Sequence, residues 1–212
     1  MIDWQIDPRR TALINIDLQN MFVEGYDHAP SDGPQIVEKL NGLSAIARAA
    51  GITIIHTAQE ARADGANRGT CSEVVIAYMA DHNLVRPNNL SGEHAVAYSP
   101  RLKIEPGDIK LTKPRYGAFT GTDLDLMLRK RGIDTLIIGG IATNVCVDTT
   151  VREAATREYR VLVLSDACSN RGLGNLTADQ VKAATLETLR FAFAQVLTAD
   201  AAAAKIRKAS AG

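Results

Sequence analysis

Three side chains of different chemistry stand where apolar, strand-like runs end. Asp17 closes the run at residues 11–17, Lys113 follows the run at residues 108–112, and Cys146 lies just beyond the glycine pair Gly139–Gly140. An ionised aspartate can take a thiol proton, and a nearby ammonium stabilises the anions that form. Together they suit thiolate attack on an amide or ureide carbonyl, loss of amine or ammonia, and hydrolysis of the resulting thioester by water. Around the cysteine the chain reads GGIATNVCVDTT over residues 139–150. Two glycines permit a tight turn with close backbone approach. Thr143 or Asn144 is then placed to cap a helix, with Cys146 in its first turn. Unpaired N–H groups and the positive end of the macrodipole lie there, which predicts a lowered thiol pKa and donors for an oxyanion.

Each residue also has a plainer reading. Free cysteines are most often small buried apolar residues, strand-end aspartates form turns, and strand-end lysines extend to solvent. Cys71 and Cys168 keep that plainer reading, because no comparable partners stand near them in the pattern. For Asp17, Lys113 and Cys146 it is the joint placement that argues for chemistry.

The elements that must position these groups alternate strand and helix. Strands are read at residues 11–17, 51–58, 108–112, 134–140, 160–165 and 195–198. Helices are read at residues 35–50, 72–81, 122–130, 143–157 and 177–191, and an Ala-rich helix at about 199–209. Ile36, Val37, Leu40, Leu43, Ile46 and Ala47 share one helical face, and Gly51 is placed to end that helix. Strands alternating with helices imply a parallel sheet covered on both faces. The fold expected is a three-layer α/β/α sandwich with a mostly parallel, doubly wound sheet of about six strands, in one domain over residues 1–212. In such sheets ligands bind outside the carboxyl ends of the strands, where all three reactive residues fall. The long irregular stretch at residues 83–107 is a source of pocket walls.

Composition narrows the function classes. Lys plus Arg and Asp plus Glu are 24 each, so no charge excess argues for a nucleic-acid or membrane-surface partner. No apolar run approaches the roughly 20 residues of a membrane span. The N-terminal MIDWQIDPRR carries charges where a signal peptide would be apolar. Three cysteines without a CxxC pair suit a reducing cytosol. The expectation is a cytoplasmic protein with a small-molecule substrate, and the zero net charge leaves little repulsion against homo-oligomers.

Three separated blocks, LINIDLQNMFVE (13–24), KPRYGAF (113–119) and GIATNVCVDTTVREA (140–154), resemble the isochorismatase-like cysteine hydrolase superfamily. That resemblance implies an Asp17, Lys113, Cys146 triad on a Rossmann-like sheet. It also implies a cis peptide at Ile141–Ala142 and an oxyanion hole from the N–H groups of Ala142 and Cys146. Within the superfamily the segment from Pro106 to Val147 looks most like ureidoacrylate and N-carbamoyl amidohydrolases. The alternatives are a vinyl-ether hydrolase of the isochorismatase type, against which Cys146 argues, a nicotinamidase, and a catalytically silent ligand-binding relative. Nicotinamidases resemble this chain but place metal ligands where Gln59 and Ala61 stand here, so no metal or cofactor is expected. Phe22, Tyr116 and Phe119 are candidate pocket walls, or ordinary core. Gln19, Ile141, Thr143 and Asn144 are candidate substrate contacts, the last two equally readable as caps. His56 is read as a strand-end residue bonded locally, and His28, His82 and His94 as loop or surface residues.

Overall fold

In the computed structural model, which describes residues 2–210, six short runs form strands. They are β1 (Thr11–Ile16), β2 (Thr53–Gln59), β3 (Ile109–Lys113), β4 (Thr135–Ile141), β5 (Arg160–Ser169) and β6 (Gln195–Leu197). Seven helices accompany them: α1 (Asn20–Val23), α2 (Gly33–Ala49), α3 (Cys71–Asp81), α4 (Leu124–Lys130), α5 (Asp148–Ala155), α6 (Ala178–Ala192) and α7 (Ala199–Ser210). The strands pair in parallel in the order β3-β2-β1-β4-β5-β6. No helix among the described residues is long and apolar enough to cross a membrane.

Every residue of β1 and β4 is buried, which is why these strands read as continuous apolar runs rather than alternating ones. Leu13, Ile137, Leu162 and Leu164 face the layer of α2 and α7, packing on Val37, Leu40, Ala202 and Ile206. Ile14, Ile138, Val161 and Val163 face the layer of α4, α5 and α6, against Leu128, Val151 and Leu189. The period-2 alternation of a strand thus divides its side chains between two cores.

Helix ends follow their sequence signals. Gly51 sits at φ +81° after α2, with its N–H donating to Arg48 and that of Ile52 to Ala47, a Schellman closure. Thr177 and Gln180 form a reciprocal capping box at the start of α6. Three elements differ most from expectation. The helix expected over residues 143–157 opens with a π turn at Thr143–Val147, and its regular part begins only at Asp148. Strand β5 runs four residues beyond its expected end, past a register shift opposite Ile138 and Gly140. The one-turn α1 has no periodicity to announce it.

Candidate active site

The sheet order puts β1 at the point where the chain switches from building one edge to building the other, between β2 and β4. That switch is where open parallel sheets hold their ligands. Asp17 lies just past the end of β1 in a left-handed conformation, φ +51°, which aspartate tolerates better than most residues. Its backbone N–H donates to Thr57 Oγ1 at 3.0 Å, and the same hydroxyl donates to Asp17 Oδ1 at 2.6 Å. Thr57 therefore fixes both the backbone and the carboxylate of Asp17 from the neighbouring strand.

Lys113 ends β3, two strands away from β1. Its Nζ lies 2.9 Å from Asp17 Oδ2, with both side chains fully buried. The remaining donors go to the carbonyls of Arg115 and Tyr116, at 3.0 and 2.7 Å. Burial alone would push the Lys113 ammonium down. Interactions led by the charge of Asp17 outweigh it and hold the pKa above its ordinary value. Lys113 is a fixed cation, not the solvent-facing side chain that a strand-end lysine usually is.

Gly140 places the third group. Its φ is +132°, and a Cβ there would lie 2.2 Å from the carbonyl oxygen of Ile16 in β1. Only glycine lets β4 approach β1 so closely at its end, just before the π turn that carries Cys146. The Ile141–Ala142 peptide is cis. Cys146 is 4% exposed. Burial pushes its pKa up to about 12; Lys113 opposes that rise, and Asp17 reinforces it. This corrects the lowered pKa expected from a helix N-terminus. Cys146 sits inside a π turn, where the desolvation of a buried thiolate exceeds the help of nearby N–H groups.

Cys146 forms part of the wall of a largely apolar cavity of about 600 Å³. Ile141, Ala142, Asn144 and Val145 surround it, with Phe22 and Tyr116. Further wall comes from α3 (Cys71, Val74, Val75, Tyr78, Met79), and from the chain after it (His82, Leu84, Arg86). The segment from Arg171 to Gly174 contributes as well. Gln59 completes the lining; it is 3% exposed and its Oε1 has no protein partner.

The sequence from residue 11 to 201 matches the model of the isochorismatase domain. The chain belongs to the isochorismatase family. The ureidoacrylate amidohydrolase RutB of Methylorubrum extorquens is 36% identical to it over 181 residues, which cover 78% of this chain and 72% of that protein. RutB of Caulobacter segnis is 35% identical over 180 residues, 79% of this chain and 75% of the relative. Among solved structures, a cysteine hydrolase from Pseudomonas syringae pv. phaseolicola superimposes with a TM-score of 0.81 at 32% identity, covering 98% of this chain and 97% of that one.

Several residues singled out in the sequence do not meet the cavity of this isochorismatase-family fold. Gln19 is fully buried and bridges two segments of the chain: its Oε1 accepts from the Gln59 N–H at 2.8 Å, and its Nε2 donates to Val96 O at 2.6 Å. It braces α1 against β2 and contacts no ligand space. Phe119 is core, with its ring 5.7 Å from that of Tyr159 and Arg157 over its face. Thr143 is fully buried with an unpartnered hydroxyl, and neither it nor Asn144 caps the turn, whose N-cap is Ala142. His56 is a buried mid-strand residue, with Nε2 2.9 Å from Asp108 Oδ2 and Nδ1 3.2 Å from Asn15. His28 and His82 line the cavity. Among the described residues no group of three or more His, Cys, Asp or Glu could hold a metal ion.

Arg86, Leu84 and Tyr78 were invisible to motif reading. They come from α3 and from residues 83–107, where pocket walls were expected in general but no periodicity singles out a side chain.

Proposed function

We propose that the protein is a cysteine amidohydrolase that cleaves a C–N bond of a small ureido, N-carbamoyl or amide substrate. The observation that carries this reading is Cys146 in the cavity wall beside Asp17, itself locked in a buried ion pair with Lys113. The 36% identical relatives named ureidoacrylate amidohydrolase supply the substrate class.

The raised thiol pKa supports the following order of events. Cys146 waits protonated. As its sulfur attacks the substrate carbonyl carbon, Asp17 takes the proton, so no free thiolate has to persist in the buried site. The backbone N–H groups of Ala142 and Cys146 receive the developing oxyanion. Collapse of the tetrahedral adduct breaks the C–N bond, and Asp17 returns the proton to the leaving nitrogen. Water, deprotonated by Asp17, then attacks the thioester; the C–S bond breaks and Asp17 returns that proton to the Cys146 sulfur. Lys113 keeps a positive charge beside Asp17 throughout and never transfers a proton. Gln59 offers its free carbonyl oxygen to the N–H groups of a ureido substrate.

Ammonia release from ureido acids, carbamoyl amino acids, nicotinamide and maleamate tests the reading. Turnover of at least one ureido or carbamoyl compound is expected, falling at least about 10²-fold in Cys146→Ala. Unchanged turnover in that variant would sink the proposal.

A further inference from the structure

The cavity contains a cation that the protein leaves unpaired. Arg86 lies on the chain after α3, half-buried, and its Nη1 is enclosed without a hydrogen-bond partner among the described residues. Other arginines that reach into this fold are answered. Arg48 makes two hydrogen bonds to the buried Asp108, Arg10 two to Asp134, Arg115 reaches the carbonyls of Asn67 and Pro114, and Arg68 reaches Asn88 and Asn89. No aspartate or glutamate is among the residues that line the cavity.

Guanidinium does not deprotonate in proteins, so an enclosed, unanswered one is costly unless a ligand answers it. The charge of Arg86 is felt at His28, Tyr116 and Cys146, so it stands within reach of the same space as the thiol. His28 Nδ1 lines that space and also has no protein partner. Arg171, the cavity's second cation, already donates to the carbonyl of Asp27.

We propose that Arg86 is the carboxylate anchor of this site: the substrate is an acid, its scissile carbonyl at Cys146 and its carboxylate paired with the Arg86 guanidinium. The planar fork of arginine matches a carboxylate with two parallel N–H···O bonds, which a neutral amide of the same length does not reproduce; a phosphate can, and competition by phosphate separates the two. The apolar walls between the two ends suit a short carbon chain. This deepens the amidohydrolase reading and rests on it only for the position of the carbonyl.

Binding decides the matter without turnover. Calorimetry on the Cys146→Ala protein would compare 3-ureidopropionate with its neutral amide, 3-ureidopropionamide. The acid should bind at least about 10-fold more tightly, and adding Arg86→Gln should weaken it about 10- to 100-fold while moving the amide less than about 2-fold. Arg86→Lys keeps the charge without the fork and should recover part of the loss. Equal affinity for acid and amide with Arg86 intact would overturn the proposal, as would equal weakening of both by Arg86→Gln. Competition by inorganic phosphate as strong as by the acid would overturn it too. Should Arg86→Gln not fold, the acid-to-amide comparison and Arg86→Lys still decide. Tight, Arg86-dependent binding of the acid by a protein that hydrolyses nothing would sink the amidohydrolase reading and leave this one standing.

Discussion

At the scale of the residue, Asp17, Lys113 and Cys146 could be grouped from the sequence because each stands at or shortly after the end of a strand, and strand ends in a parallel sheet share an edge. What their spacing could not convey is depth. Cys146 is 4% exposed, and burial, not the helix terminus, sets its acidity. Gln19 and Thr143 were misread for the same reason: polar side chains beside a reactive residue can as readily brace backbone as face a ligand. The raised pKa gives an expected outcome. Alkylation of Cys146 by iodoacetamide in the resting protein should be slow at pH 7 and keep accelerating beyond pH 9. The ordinary thiol midpoint of about 8.5 would already be passed there. A rate that levels off near pH 7 would mean a preformed thiolate and refute the proton transfer assigned to Asp17.

At the scale of the element, the site depends on how β4 meets β1. Periodicity found the strands and most helices, since buried parallel strands and amphipathic helices write their burial into the sequence. It missed the π turn at Thr143–Val147, because a π turn and an α-helix share their residue preferences and differ in a single hydrogen-bond register. Gly140 is the element-level constraint: its φ of +132° and a Cβ position 2.2 Å from Ile16 O leave no room for a side chain. Gly140→Ala should cost more than about 2 kcal/mol, read as a drop of several degrees in Tm. Activity should fall further than stability, because Asp17 and Cys146 flank that contact. A variant with wild-type Tm would show that the strands are not so tightly joined.

At the scale of the whole molecule, the layers and the parallel pairing of the strands followed from alternation of elements. The walls of the cavity did not, because α3 and residues 83–107 carry no pattern tying them to the sheet's edge. One consequence of that assembly is global. Burial, with Arg86 and Arg171 nearby, lowers the pKa of His28 to about 4. Unfolded, His28 would titrate near 6.5, so between those values the unfolded chain binds more protons than the folded one. His28 therefore costs no stability above about pH 6.5 and progressively more as pH falls towards 4, on the order of 1–3 kcal/mol in all. Urea midpoints at pH 7 and pH 4.5 should separate less in His28→Asn than in the parent protein. An unchanged separation would place His28 in solvent rather than in the wall.

The most direct test of the central claim is the mass of the peptide carrying Cys146 after acid quench during turnover of a ureido or carbamoyl substrate. The account predicts an acyl or carbamoyl adduct on Cys146, on neither Cys71 nor Cys168, and none in Cys146→Ala. Steady hydrolysis with an unmodified Cys146 at every quench time, in a protein that Cys146→Ala leaves active, would contradict it.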